Sequence, residues 1–344
     1  MTPDITIVGQ GICGSLLSWA LIQLGVSVRV YDTGSHLSAT AAASGIINPI
    51  TGKRYVKSWM VDDLIPVAER TYAAIGQTLA TQVYTPLPIY KLLASVREQN
   101  DWSARTTDTA YRQYLSDTTL HRLSPEWMID DFGAFAIQGG GIVHTPSFLA
   151  RYRDYLREKG ILCEEPLTQG QALTHKGRII FCDGYRSARE GLFTTLPWQI
   201  VKGEYLLIRM KEFYDDRIVG GDTTISPAGQ PGLWYAGATY QWHYETVAPT
   251  AQYRDEVIES LHKMLRLPFE VVHHGAGIRP STRYRRPFIG FHPQHPHIGI
   301  FNGMGTKGMS LAPYWSERFA EHIVSGAPLS DEVDVARQLL VNPA

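Results

Sequence analysis

The stretch Ile5–Gly14 reads ITIVGQGICG, and a second apolar run further on ends at Asp32. This order of apolar run, glycine turn, helical run and second apolar run predicts a strand, a helix and another strand. Gly9 would permit the tight turn, Gly11 would let the backbone approach a pyrophosphate, and Gly14 would let the helix pack closely on the strand. Asp32 lies 23 residues after Gly9, near the roughly 20 expected for an acid that binds ribose. The stretch therefore predicts a dinucleotide site, and a glycine turn without a ligand is the alternative.

The composition is that of an ordinary globular protein. Of its 344 residues, 44% are hydrophobic and 19% are charged, and the formal net charge is −1. Neither disorder nor a bulk attraction to nucleic acid or anionic membranes is indicated. Cys13, Cys163 and Cys182 are widely spaced and form neither a disulfide framework nor a zinc pattern, which is typical of a reducing cytosol.

Targeting signals are not expected. The sequence has no run of about 18 consecutive apolar residues, so no membrane-spanning helix is predicted. Met1–Asp4 lacks the basic residues of a signal peptide and precedes a predicted strand. We therefore expect a cytoplasmic protein.

A run of small residues follows the N-terminal unit. Residues 38–45 read SATAAASG and lead into Ile46–Pro49. Small side chains there would let the backbone lie flat against a large planar ligand. The alternatives are a surface loop or the start of an alanine-rich helix.

The remaining sequence predicts alternating helices and strands. Residues 161–163 and 178–182 are expected to extend the first sheet, whereas residues 204–209 and 232–237 are expected to pair antiparallel. Thr145 is the expected N-cap of a helix whose first residue is Pro146. Further helices are predicted at residues 56–78, 96–115, 255–265 and 313–324.

Six motifs occur in order over nearly the whole chain: Gly9–Gly14 with Asp32, Ala43–Pro49, Gly141–Pro146, Leu196–Glu204, Gly277–Gly290 and Gly303–Gly308. Together they resemble the D-amino-acid-oxidase-like family of FAD-dependent amine oxidoreductases. That family includes glycine oxidase, sarcosine oxidase and the oxidase half of a tRNA wobble-uridine-modifying enzyme. Asp32 departs from the more usual Glu, and His144 departs from the usual Asp.

The resemblance implies an α/β fold in which a Rossmann-like FAD-binding domain is joined to a discontinuous α+β domain built on an antiparallel sheet. The FAD-binding domain would comprise residues 1–57, 140–200 and 272–344, and the substrate domain residues 58–139 and 201–271. Sarcosine oxidases tether FAD to a cysteine near the C-terminal end, and no cysteine follows Cys182 here, so the resemblance implies noncovalent FAD. Its predicted contacts are Gly9, Gly11, Ile12, Cys13, Gly14, Asp32, Thr40, Ser44, Gly45, Ile46, Leu167, Gly184, Gly303, Gly305, Thr306, Lys307, Gly308 and Met309.

The implied reaction is oxidation of the carbon–nitrogen bond of an amino acid or secondary amine, by hydride transfer to flavin N5. Electrons would pass to oxygen or to another acceptor. Such chemistry needs cations for the substrate carboxylate rather than a strong acid or base. The candidates are Lys307, which matches a carboxylate-binding lysine of the sarcosine-oxidase branch, with Arg54 and Arg279. Thr306 stands where glycine oxidase has a carboxylate-binding Arg, which argues against a copy of that enzyme.

Several alternatives remain open from the sequence. An NAD-dependent dehydrogenase is favoured by Asp32 alone. A tRNA-modifying oxidase would use Arg283, Arg285 and Arg286 to contact RNA, against the neutral net charge. Tyr55, Tyr240 and Trp242 are candidates for an aromatic pocket, although a core role is the commoner one. The histidines between residues 292 and 297 fit no standard metal site and, being interrupted by prolines, predict an exposed loop.

Overall fold

The N-terminal stretch folds as its sequence predicts, into β1 (Ile5–Val8), α1 (Ile12–Gln23) and β2 (Val28–Tyr31). The computed structural model describes residues 4–34, 38–52, 54–124, 126–211 and 216–341. Residues 1–3, on which the expectation of no signal peptide partly rests, lie outside these ranges. Gly14 packs directly on the turn, since a Cβ there would lie 1.8 Å from the carbonyl oxygen of Gly9.

A six-stranded sheet holds this unit, in the order β10–β2–β1–β11–β18–β17. Its first five strands run parallel, and the edge strand β17 pairs antiparallel with β18. The inner strands are rich in Ile and Val and are buried on both faces, as parallel strands usually are. The strands added to β1 and β2 are β10 (Leu162–Cys163), β11 (Arg178–Phe181), β17 (Phe288–His292) and β18 (His295–Asn302).

A seven-stranded sheet forms the other half, in the order β16–β12–β15–β14–β13–β7–β8. Its pairs are antiparallel except for β13 with β7. The predicted antiparallel pair is confirmed by the register of Leu207 opposite Tyr235. These strands are β7 (Ile89–Leu92), β8 (Ala134–Ile137), β12 (Val201–Arg209), β13 (Ile218–Gly220), β14 (Thr224–Pro227), β15 (Leu233–Gly237) and β16 (Glu270–Arg279).

Five short strands, which are interspersed in sequence with strands of the large sheets, form two small sheets. One has the order β3–β9–β6, and the other pairs β4 with β5. Their bounds are β3 (Ile46–Ile47), β4 (Ile50–Thr51), β5 (Val56–Lys57), β6 (Tyr84–Pro86) and β9 (Gly141–Val143). The fold class is therefore as predicted. The domain bounds stay a prediction, and β16 is continuous across the proposed boundary after residue 271.

The remaining helices are α2 (Val61–Leu79), α3 (Val96–Thr106), α4 (Thr145–Glu158), α5 (Gln169–Ala172), α6 (Ala251–His262), α7 (Gly308–Ser325) and α8 (Val335–Val341). The helix predicted from residue 56 starts later because Val56–Lys57 pairs with Ile50–Thr51. Thr145 does not cap α4. Its hydroxyl donates to the carbonyl of Ala43 at 3.0 Å, and His144 occupies the cap position.

Helix α7 begins five residues before the predicted start, at Gly308, because it contains Pro313 rather than starting there. A proline has no N–H and so leaves the carbonyl four residues earlier without its helical donor. That carbonyl belongs to Met309, and the buried hydroxyl of Tyr72 in α2 donates to it at 2.7 Å. A side chain from another helix thus supplies the donor that the proline lacks.

The expected exposed loop at residues 292–297 is wrong. His292 ends β17, and His295 and His297 belong to β18, so a two-residue turn closes a hairpin. Pro296 is tolerated because pairing of β18 with β11 begins only at Ile298.

We expect Gly14→Ala to destabilise the protein by about 1–3 kcal/mol or more, because the new methyl group would overlap a backbone oxygen. Thermal unfolding should show a clear fall in Tm. Gly170→Ala in α5 is the matched control, since a Cβ there would meet nothing nearer than 3.9 Å. Equal Tm values for the two variants would contradict the close packing at Gly14.

Candidate functional site

A cavity of about 2470 Å³ extends from the Gly9 turn to the seven-stranded sheet. It lies beyond the carboxyl ends of the parallel strands, where open α/β sheets usually bind ligands. Gly14 packs behind the turn and does not line it. The other predicted FAD contacts do: Gly9, Gly11, Ile12, Cys13, Asp32, Thr40, Ser44, Gly45, Ile46, Leu167, Gly184, Gly303, Gly305, Thr306, Lys307, Gly308 and Met309.

The Gly9 turn can exist only without a side chain. Gly9 has φ +101°, and a Cβ there would lie 2.6 Å from the carbonyl oxygen of Cys182. Gly11 precedes α1 without a side-chain cap. The first N–H groups of a helix lack intrahelical partners, and one of them, that of Ile12, donates to the hydroxyl of Thr40 at 3.0 Å. The turn therefore presents amide donors to the cavity.

Asp32 is held in place by three donors. Its carboxylate accepts from the N–H groups of Gln10 at 2.8 Å and Gly34 at 2.7 Å, and from Arg153 at 2.7 Å. A carboxylate has about four acceptor sites, so capacity for one more donor, such as a ribose hydroxyl, remains. Arg153 comes from α4, and no local sequence pattern indicated it.

Asp183 follows β11 by two residues and Asn302 is the last residue of β18. Sequence reasoning assigned neither to the site. The amide of Asn302 donates to the carbonyl of Gly184 at 2.8 Å and to Asp183 at 3.3 Å, and it accepts from the N–H of Gly303 at 2.8 Å. Asp183 lies against the Gly9 turn. Burial raises the pKa of the Asp183 carboxyl to about 6.

The starts of α7 and α1 touch each other at the cavity. A Cβ on Gly308 would lie 3.2 Å from the Cγ2 atom of Ile12. The segment before α7 turns through Gly303 and Gly305, both with positive φ. Helix N-termini carry partial positive charge, so two of them favour an anionic ligand here.

The three candidate cations all line the cavity but differ in setting. Arg54 is exposed. Lys307 is partly buried and donates to the carbonyl of Asn48 at 3.0 Å, and burial lowers the pKa of its ammonium group to about 8.

Arg279 is half-buried at the end of β16. It donates to the carbonyl of Thr239 at 2.9 Å, and its guanidinium carbon lies 4.7 Å from the centre of the Tyr240 ring. Gly203 on the neighbouring strand leaves room for it, because a Cβ there would lie 2.2 Å from the guanidinium. Within the described ranges Thr239 is its one hydrogen-bond acceptor, so four of its five N–H donors remain for a ligand.

The aromatic candidates also line the cavity, in two different ways. Tyr55 is 3% exposed and packs edge-on against Phe135, which is the ordinary core role. Tyr240 and Trp242 are 59% and 50% exposed, so these two rings are available to a ligand.

The candidate RNA contacts are partly engaged within the protein. The Arg286 guanidinium lies 4.0 Å from the centre of a Trp59 ring and pairs with Glu332 at 2.9 Å. Among the described residues, no group of three or more His, Cys, Asp or Glu side chains is arranged to hold a metal ion. No described helix combines the length and apolar character that crossing a bilayer requires.

We expect Asp183→Asn to raise Tm at pH 8 but not near pH 4. An ordinary Asp has a pKa near 3.8, and Asp183 has about 6. Between these values the native state binds more protons than the unfolded state, so stability falls as pH rises, and the amide escapes that cost. Thermal unfolding of the flavin-loaded protein would measure this, with the exposed Glu158→Gln as control. A Tm difference independent of pH would contradict the role of burial.

Comparisons with known proteins agree with this architecture. The family described as FAD dependent oxidoreductase matches residues 4–322. A glycine oxidase of Pseudomonas putida is 23% identical over 98% of both chains. A glycine oxidase structure from Geobacillus kaustophilus has a TM-score of 0.77 at 18% identity, covering 95% of this chain and 96% of that one. Iminodiacetate oxidase from Chelativorans sp. BNC1 has a TM-score of 0.70 at 20% identity, with the same coverage.

The match over most of the chain decides between the alternatives for the cofactor. FAD is the cofactor, and the NAD-dependent alternative is set aside. The chain therefore belongs to the FAD-dependent oxidoreductase family and is an enzyme whose relatives include amino-acid oxidases.

Proposed function

We propose that the enzyme oxidises the carbon–nitrogen bond of a small amino acid or secondary amine, by oxidative deamination or N-dealkylation. The observation that carries the proposal is that Arg279 and Lys307 line the same cavity as the predicted flavin contacts. A planar carboxylate prefers a guanidinium that can donate two parallel hydrogen bonds. Glycine oxidase and iminodiacetate oxidase, which this chain resembles, are named for small amines that bear carboxylates.

The cofactor half of the cavity would hold FAD along its length. The amides around Gly11 would face the pyrophosphate, and Asp32 would accept from the adenosine ribose. Residues 44–46 and 303–309 would border the flavin. Cys13 and Cys182 lie nearby, but burial raises the pKa of both thiols, that of Cys13 to about 12. Such thiols are poor nucleophiles, which supports noncovalent binding.

The substrate half would orient the amine. FAD, when bound, would supply the acceptor for the hydride that leaves the substrate carbon. Arg279 would hold the carboxylate, with the Tyr240 ring stacked beneath the guanidinium. The first N–H groups of α7 would stabilise the negative charge of the reduced flavin. Lys307 would be the second cation, because an ammonium group with a pKa of about 8 is still protonated at pH 7. Arg54, being exposed, would contact only the outer end of a substrate.

The cytoplasmic location stays a prediction from cysteine usage.

We expect the yellow flavin absorbance to be lost when some amino acid or N-methyl amine is mixed with the protein without oxygen. A screen of glycine, sarcosine, proline, iminodiacetate and the D- and L-amino acids would identify the substrate and its chirality. Admitting air would then separate the acceptors, because rapid return of the absorbance indicates oxygen. If no amine in the screen reduces the flavin, the proposed reaction is wrong.

We expect Lys307→Met to raise KM for the amino acid severalfold, with a smaller change in kcat, since a uniform binding contact is lost. In the wild type, binding of benzoate should weaken above pH 8, by up to about tenfold per pH unit, because the ammonium group loses its proton. The variant should lack this slope, and exposed Lys159→Met should keep it. The flavin spectrum reports the binding. Unchanged KM and slope in Lys307→Met would leave Lys307 with only its structural bond to Asn48.

A further inference from the structure

A fully buried ion pair lies in β12, away from any role assigned so far. Lys202 and Glu204 are both 0% exposed, and the lysine Nζ atom lies 2.7 Å from a carboxylate oxygen of Glu204. The same Nζ donates to the carbonyl of Ala248 at 2.6 Å. Burying two charges costs several kcal/mol per ion unless other groups compensate, so their surroundings need an explanation.

Glu204 is surrounded by donors besides the lysine. It accepts from the N–H of Thr250 at 2.8 Å and its hydroxyl at 3.1 Å, from the Gln241 amide at 3.1 Å, and from His274 at 2.8 Å. Burial alone would raise the pKa of this carboxyl, but the hydrogen bonds from Lys202, Thr250 and Gln241 hold it below its usual value. Glu204 is therefore a carboxylate with its acceptor sites filled.

Most of these partners belong to one connecting segment, residues 238–250, between β15 and α6. The backbone of β12 holds the start of that segment as well. Gln241 and Lys202 exchange two backbone hydrogen bonds, and the N–H of Thr239 donates to the carbonyl of Glu204 at 3.1 Å. The hydroxyl of Thr239 accepts from the N–H of Glu204 at 2.9 Å. Glu204 and Lys202 thus hold the segment at both ends.

The segment in turn fixes the cation that faces the substrate. The carbonyl of Thr239 accepts from Arg279, and the Tyr240 ring stacks on the guanidinium. Gly203, between the two buried charges, provides the space beside it. A continuous set of contacts therefore runs from the ion pair through Thr239 to Arg279, although neither Lys202 nor Glu204 lines the cavity.

We propose that Glu204, paired with Lys202, is a positioning residue for carboxylate recognition, which sets the Arg279 guanidinium and the Tyr240 ring through the segment 238–250. This inference rests on the proposed function, in that Arg279 is taken as the carboxylate-binding group. A purely structural ion pair would affect folding and leave ligand affinity alone.

The test measures binding, not turnover. Benzoate and acetate, with uncharged benzamide for comparison, are titrated into the FAD-loaded protein at pH 7 while the flavin spectrum is followed. The variants are Glu204→Gln, Arg279→Met and the combination of the two. Glu321→Gln is the matched control, because Glu321 forms an exposed ion pair with Arg318 on α7 and neither residue lines the cavity.

We expect Glu204→Gln to weaken benzoate binding about tenfold or more without a change for benzamide, and Glu321→Gln to change neither. In the Arg279→Met background, Glu204→Gln should have no further effect, because two residues acting through one contact are not additive. Lys202→Met combined with Glu204→Gln removes the unpaired buried ammonium group. It should recover Tm relative to Glu204→Gln alone and still bind benzoate weakly.

The outcomes separate the two proposals. If Arg279→Met weakens benzoate binding and Glu204→Gln does not, the positioning role is wrong and the proposed function stands. Full additivity of the two substitutions would overturn the positioning role as well. If Arg279→Met leaves benzoate affinity unchanged, or if neither acid perturbs the wild-type spectrum, Arg279 is not the carboxylate site and both proposals fall at that residue. Recovery of benzoate affinity together with Tm in the Lys202→Met, Glu204→Gln variant would return the pair to a structural role.

Discussion

The shape of the cofactor half of the cavity depends on the contact between the first residues of α1 and α7. Ile12 and Gly308 touch there, and there is no room for a larger side chain at Gly308 without displacement. Both helices are buried over their first turns, so the contact is fixed by packing on the sides that face away from the cavity. Because each helix carries unpaired amides at its start, the contact joins two partial positive charges from opposite ends of the chain.

The substrate half of the cavity would recognise an anion in a different way. In the cofactor half, the groups that would recognise an anion are backbone amides at glycine turns, which carry no net charge. In the substrate half, the groups proposed to recognise an anion are the side chains of Arg279 and Lys307, whose positions depend on neighbours. A guanidinium on a flexible stem must be oriented before it can select a ligand. Tyr240, the Thr239 carbonyl and the bare backbone at Gly203 supply that orientation.

Features with local causes were predictable from the sequence. The strand–turn–helix at Ile5–Gly14 follows from glycine spacing, and the pair β12–β15 follows from alternation. Long-range partners were not, because no local pattern indicates them: Arg153 reaches Asp32 from α4, and Asn302 reaches Gly184 from another strand. Proline was misread twice. At residue 296 it suggested a loop, and at residue 313 a helix start. The missing N–H is tolerated at residue 296 because pairing with β11 begins only at Ile298, and at residue 313 because Tyr72 supplies the donor.

The N–H donor that Pro313 lacks leads to a hydrogen bond between two helices, α7 and α2. The proline leaves the Met309 carbonyl without a helical donor, and the Tyr72 hydroxyl donates to it in a site where both groups are buried. Replacing Tyr72 by an apolar residue would leave this buried carbonyl without a donor, at a cost of about 1–3 kcal/mol. Homologous sequences without a hydroxyl at position 72 are therefore expected to lack the proline at position 313 as well.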